Sequence, residues 1–290
     1  MNDDLQLMAS ALMERFSGDT GLITPRGQPP ERYLWTDAFA LCNFLSLARL
    51  TGNPAYLRQA ANLVDQVHGL LGRHREDDPR TGWISGLTEA EGQRRPTAGG
   101  LRIGKPLPER RPGEPVDPQL EWDRDGQYFH YLTKWMHALD RVSHATGEDR
   151  YHAWAVELAC RACEAFVKPD SDDHRRRMFW KMSIDLTYPL VNSMGHHDPL
   201  DGFIVFLQLL SNPRRRPEKE PELRQALAVM SDLCRGQEWA TPDPLGIGEL
   251  LSGAFKLAQL IDSAGTAHMP LMADLLGAAR RSLDRHAAEM

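Results

Sequence analysis

The sequence predicts an all-α fold, an α/α-toroid of antiparallel helical hairpins crossed by one long ordered loop excursion, and three observations predict it. Tyr33–Val67 realigns with Tyr128–Ala162 at an offset of 95 residues, placing Tyr33 on Tyr128, Thr51-Gly52 on Thr146-Gly147, Tyr56 on Tyr151, Ala60 on Ala155 and Leu63 on Leu158. Apolar residues recur at helical spacings of three and four, enough for about ten helices. Alternating Val/Ile/Thr/Tyr runs joined by Asn-Gly or Asp-Gly turns are missing, which gives a sheet little support.

Each repeated segment reads as a long helix, a Thr-Gly break, and a second helix opened by a polar turn and a tyrosine. Glycine just past a helix end accepts the left-handed backbone that stops the helix. So short a connection makes the two helices antiparallel neighbours. Leu200–Leu210 and Glu220–Cys234 make a third pair around the basic turn SNPRRRPEKEP, and Ile247–Ala264, a Gly265 break and Met269–His286 make a fourth. Asp4–Phe16 and Arg177–Leu190 are expected as helices without an evident partner. Residues 74–125 depart from this pattern, with seven Pro, seven Gly and eight Arg and no helical period. Their Trp83, Trp122, Ile84, Leu87, Leu101 and Ile103 predict that the stretch packs down over one end of a single domain, residues 1–290.

With 41% hydrophobic and 26% charged residues in 290, the chain can bury an ordinary core. A net charge of -6 argues against a general nucleic-acid binder or a binder of anionic membranes. The opening MNDDLQLMASALMERF lacks the basic and apolar regions of a secretory signal, and no apolar run is long enough to span a bilayer. Cys42, Cys160, Cys163 and Cys234 read as reduced thiols, and a cytoplasmic protein is expected. Cys160 and Cys163 form one CRAC within a helix, with no second pair for zinc and no preceding strand for a redox site, so core packing accounts for them. No phosphate loop, GxSxG elbow or Rossmann fingerprint occurs, so no cofactor is expected. The partner is a small-molecule ligand, and the sequence leaves the oligomeric state open.

The segments LARLTGNPAYLRQAANLVDQV and VSHATGEDRYHAWAVELACRAC, with RYLWTDAF opening the first long helix, resemble the six-hairpin glycosidase-like (α/α)6 toroids. That group includes glycoside hydrolases, polysaccharide lyases and sugar epimerases, so the resemblance implies a toroid and a carbohydrate-type ligand. A full set of six hairpins occupies a longer chain, so one hairpin would be abbreviated. The DxDD acid of squalene-type cyclases and the Cys-His dipeptide of lanthionine synthetases are absent. The paired histidines of sugar epimerases have no residue-by-residue counterpart.

Four polar clusters can carry chemistry. In Trp35-Thr36-Asp37, Asp37 is a pocket carboxylate with Trp35 as a stacking platform, or a first-turn acid favoured by the helix dipole. EWDRDGQYFHYLTKW, residues 121–135, gathers Glu121, Asp123, Asp125, Tyr128, His130 and Tyr131 at a loop-to-helix junction, where general acid/base chemistry would need them; Asp125 is otherwise an N-cap. NSMGHHDPLDGF, residues 192–203, sets His196 and His197 before Asp198 and Asp201, as metal ligands or as a base with its orienting carboxylate, while Asp198-Pro199 is also a natural helix opening; adjacent histidines diverge, so no metal is expected. Lys181 and Asp185 share a face of the expected 177–190 helix as an ion pair.

The leading reading is a carbohydrate-active enzyme of glycosidase, epimerase or lyase type. Asp37, Asp123, Asp125 and His130 would be catalytic; Trp35, Trp83, Trp122, Tyr128, Tyr131, His196, His197 and Asp201 would bind substrate. It requires Asp37, one of Asp123 and Asp125, and His130 to converge in one concave pocket. The alternatives are a non-catalytic toroid that binds a ligand or partner, and a cyclase or isomerase acting on a non-sugar substrate.

Overall fold

A computed structural model describes residues 3–23, 30–169, 176–212, 219–264 and 266–289. The two Thr-Gly breaks work alike. Gly52 (φ 67°) and Gly147 (φ 81°) adopt the left-handed backbone, and their amides donate to the carbonyls of Ala48 and Ser143 at 2.9 and 3.0 Å. The preceding threonine hydroxyls donate back to Leu47 and Val142 and accept the amides of Asn53 and Glu148. The carbonyls and amides exposed where the chain turns are thus partly bonded locally. The result is two hairpins, α2 (Leu34–Thr51) with α3 (Ala55–Leu71), and α6 (Phe129–Thr146) with α7 (Asp149–Phe166).

The third and fourth expected pairs are present as α8 (Asp198–Ser211) with α9 (Glu220–Cys234), and α10 (Pro244–Ala264) with α11 (Met269–Glu289). The centre of the SNPRRRPEKEP turn (residues 213–218) and Gly265 lie outside the described residues. The first helices of the pairs pack side by side in the order α2, α6, α8, α10; α7 also packs on α9, and each second helix covers its partner. Helix α1 (Asp3–Asp19) packs on α2. One continuous apolar core runs from Met13 of α1 to Ala279 of α11, with Phe44, Trp135, Phe166 and Phe206 at its centre. The architecture is mostly helical. Among the described residues, packing of α10 on α2 or of α11 on α3, which would close the row into a ring, is not among the extensive helix contacts.

The expected helix over 177–190 is instead part of two small sheets. Strand β2 (Val167–Pro169) pairs antiparallel with β3 (Arg176–Met178), and β4 (Lys181–Met182) lies between β1 (Gln127–Tyr128) and β5 (Pro189–Val191). Short polar side chains explain the difference. Ser183, Asp185 and Thr187 bond to one another and to the local amides of Thr187 and Tyr188, and Leu186 sits at φ 62°. Such local bonds compete with the helix ladder and favour a turn. Lys181 and Asp185 accordingly do not pair: Lys181 meets Glu121 at 2.8 Å, and Asp185 meets Arg80 at 2.8 Å.

The 74–125 excursion contains α4 (Glu89–Arg94) and α5 (Pro118–Asp123), and its Leu101 and Ile103 belong to the same apolar core as the helices. Leu101 and Ile103 are fully buried, each stabilising by about 1.5–3 kcal/mol. Trp83 is buried too, with Arg73 stacked 4.3 Å over its ring and its indole N–H on Glu89 at 3.2 Å. Gly92 lies so close beneath that any Cβ there would strike the indole.

Candidate functional site

The loop joins α6 through β1, and this junction sets an aromatic cluster at the N-terminal ends of α2 and α6. Tyr33 and Tyr131 share a hydrogen bond between hydroxyls at 2.6 Å. Trp35 lies 5.0 Å from Tyr131 and 5.6 Å from His130, ring centre to ring centre. Tyr128 stacks on His130 at 6.0 Å and tilts against Trp180 at 4.8 Å; its buried hydroxyl has no hydrogen-bond partner among the described residues. Lys105, from the excursion, places its ammonium 5.5 Å from the Tyr33 ring and 4.7 Å from that of Trp122, a favourable cation–π arrangement.

Helix α8 completes the cluster with carboxylates. Its N-cap is His197, whose side chain makes no cap bond, and Asp198 lies within the first turn. The Asp198 carboxyl turns toward α6, with Oδ1 3.8 Å from Nδ1 of His130. Its Oδ2 has no hydrogen-bond partner among the described residues and packs against Gly195, where a side chain would collide with it. Burial, then the charges of Asp201 and Glu249, push Asp198 up to about 8 against the pull of Lys134 and the Gly195 backbone. Burial likewise drives His130 down to about 4, opposed by Asp201 and assisted by Lys134. The 3.8 Å contact is therefore not an ion pair at neutral pH, when the imidazole is neutral and the carboxyl keeps its proton.

One turn further in, Lys134 bridges Asp201 at 2.7 Å and Glu249 of α10 at 3.0 Å. Burial opposes its charge, but the two carboxylates hold Lys134 above its ordinary range. Burial raises Asp201, yet Lys134 and Lys256 bring it below the usual carboxylate value; Glu249, raised by burial and by Asp201, carries the opposing shift. His197 shares a 3.1 Å hydrogen bond through Nε2 with the Trp239 carbonyl, which makes that nitrogen the donor and leaves Nδ1 facing Glu249 at 4.0 Å. His196 is exposed, its ring tilted against that of His197 with 4.5 Å between centres. Among the described residues, no group of three His, Cys, Asp or Glu side chains is arranged to hold a metal ion.

Of the residues expected to form the site, Trp35, Tyr128, Tyr131, His130, His197 and Asp201 come together here. The carboxylates expected to be catalytic do not. Asp37 is buried in the first turn of α2, accepts the Tyr33 amide at 3.0 Å and lies 3.5 Å from Arg32; burial still pushes it up to about 7. Asp125 is bound by Arg102, by Arg75 at 3.4 Å, and by the amides of Gly104 and Gly126 at 3.0 Å. It therefore pins the excursion down. Asp123 is exposed, and no bond or ring contact among the described residues links it or Asp125 to His130. Trp83 belongs to the excursion core, and Trp122, 60% exposed, meets the cluster only through Lys105. Sequence reasoning did not single out Lys134, Glu249 or Trp180, and read Asp198 as an orienting carboxylate or metal ligand beside the histidines, or as a helix cap, not as an acid. A signal for Lys134 was present: His130, Lys134, His137, Arg141 and His144 recur at spacings of four and three on a helix whose other faces are mostly buried.

A cavity of about 570 Å³ lies along that same face, between α2 and α6. Another, of about 610 Å³, lies between α7 and α9 beside Cys160 and Cys163, where burial holds both thiols above their ordinary range. His130 lines neither; its side chain is 27% exposed at the surface. No helix among the described residues is long and apolar enough to cross a membrane. No protein-family model matches the chain, and no curated protein or solved structure matches it.

Proposed function

We propose that this chain is an enzyme of acid/base type acting on a hydroxylated, sugar-like substrate, with His130 as base, Asp198 as acid, and the half-buried Trp35, backed by Tyr131, as the face on which the substrate lies. The observation that carries this reading is the Asp198 carboxyl: buried, without a hydrogen-bond partner on Oδ2 among the described residues, and 3.8 Å from an imidazole. An unpaired buried carboxyl costs stability, and retaining its proton next to a neutral base is what proton exchange with a substrate requires. A substrate oxygen can reach both groups at once, His130 taking a proton as Asp198 gives one. The aromatic faces supply an apolar platform with few polar anchors, the usual make-up of a small-molecule site. The sugar-like substrate and an α/α-toroid, of which the four hairpins would be an arc, follow from the resemblance in the repeats.

The test is turnover of a panel of aryl glycosides, glycuronides and free aldoses followed by proton NMR. The wild type is expected to convert at least one compound. His130→Ala and Asp198→Asn should each lose about 100-fold or more, the lower range for a positioned acid or base, while Asp123→Asn should retain the rate. One observation favours a second reading, a binding module without turnover: Asp37 and Asp125 are occupied by arginines and backbone amides. That reading predicts ligands that raise the melting temperature by mass action but are never converted.

A further inference from the structure

The 95-residue offset carries Trp35, Phe39, Cys42, Ser46 and Arg49 of α2 onto His130, Lys134, His137, Arg141 and His144 of α6. Spaced four and three apart, each set lies on one helix face. The last three members of both sets line the 570 Å³ cavity. Among the described residues, Arg49 and Arg141 make no ion pair or hydrogen bond. Lys256 of α10 adds its field at both Cys42 and His137. The bland reading is that basic residues near helix C-termini answer the helix dipoles. Those dipoles amount to about half a charge each, roughly one negative charge for two helices, and the two guanidinium groups of Arg49 and Arg141 exceed that. The nearby carboxylate, Asp140, is already engaged by Asn212, by Gln208 at 2.6 Å and by His152 at 3.1 Å, with His144 3.8 Å away.

Asp140 also fixes the chemistry of His137. Because the Gln208 amide nitrogen donates to Asp140, its oxygen faces Nδ1 of His137 at 2.7 Å and can only accept. His137 therefore carries its proton on Nδ1 and has Nε2 as an acceptor; burial first, then Lys256, keeps the ring neutral, down to about 4. A neutral acceptor beside unpaired guanidinium groups suits an anion that also bears hydroxyls. Along α6, eleven residues separate His130 from Arg141, about 16 Å at the helical rise.

We infer that the groove between the C-terminal halves of α2 and α6 is a recognition subsite for the acidic group, carboxylate or phosphate, of an extended hydroxylated substrate whose reacting end lies at His130 and Asp198. The inference rests on the acid/base reading of that pair. Arg49 and Arg141 bind the charge, and Nε2 of His137 accepts a hydroxyl.

Calorimetric titration of the full chain with D-glucuronate, D-glucose 6-phosphate and D-glucose tests it. At least one anion should bind about tenfold more tightly than glucose, and the Arg49→Gln/Arg141→Gln pair should abolish that preference. Both side chains are exposed, so the melting temperature should hold; Arg280→Gln, outside the groove, should change nothing. Glucuronate alone identifies a carboxylate, glucose 6-phosphate alone a phosphate, and both together a site that reads charge. Anions that bind no better than glucose, or a preference that survives loss of both arginines, overturn the inference. Asp198→Asn should bind the anions as the wild type does. Arginine-dependent binding of the anions, together with no turnover of any compound in the glycoside, glycuronide and aldose panel, would sink the acid/base reading and leave the subsite standing.

Discussion

Asp125 and Asp198 are buried carboxyls, 0% and 6% exposed, and each stands at the opening of a helix that carries the aromatic and polar cluster. Asp125 is held by two guanidinium groups and a set of loop amides. Asp198 has a histidine at 3.8 Å, a bare Oδ2, and two further carboxylates raising its proton affinity. The contrast separates two uses of the same side chain. Asp125, met by two arginines and by loop amides, is a fastener, because its charge and theirs are satisfied at once. A buried acid that meets more acid and a neutral imidazole is held in a reactive form, at a cost the rest of the core must offset.

The largest effect expected from this contrast is on folding. Asp125→Ala leaves Arg102 buried without its carboxylate and should destabilise the chain by about 3–5 kcal/mol, read in urea unfolding. A loss below about 1 kcal/mol would erase the distinction. Asp198→Asn is expected to do the reverse, folding normally while turnover falls by about 100-fold or more. A pH–rate profile sharpens the assignment. With His130 near 4 and Asp198 near 8, kcat/KM should hold a plateau between those values, fall on the acid side as the base protonates, and fall on the alkaline side as the acid ionises. Asp198→Asn should remove the alkaline fall from any residual rate.

The smallest expected effect is on pH-dependent stability. The folded Asp198 carboxyl holds its proton above its unfolded value of about 3.9. Its contribution is therefore fully present below that value and is lost as pH rises through about 8. Relative to wild type, Asp198→Asn should gain melting temperature on going from pH 5 to pH 8, by an amount on the order of a few degrees. An unchanged difference between the two proteins at both pH values would mean that Asp198 is ionised in the fold.

The hairpins were legible because their determinants are local: Thr51-Gly52 and Thr146-Gly147 each close a helix with bonds to residues four or fewer positions away. The strand segment around Lys181 was not, since its pairing partner is Tyr128 and its charge partner is Glu121, both more than fifty residues earlier. The site was half legible. Density of aromatics and acids pointed to Tyr128, His130 and Tyr131, but the roles of the acids depend on which charges fold against them. Arg102 and Arg75 reach Asp125 across 23 and 50 residues, and Glu249 comes to Lys134 from another hairpin. Nothing in the local text of EWDRDGQYFHY or NSMGHHDPLDGF distinguishes the fastened acid from the exposed or the reactive one.

The protonation of Asp198 is therefore the quantity on which the account turns. Carbon-13 NMR titration of the aspartate carboxyls, with the Asp198 signal assigned by its loss in Asp198→Asn, measures it directly. The account predicts a midpoint near 8, with His130 titrating near 4 in the same sample. An Asp198 midpoint in the ordinary carboxylate range, about 4, would contradict it.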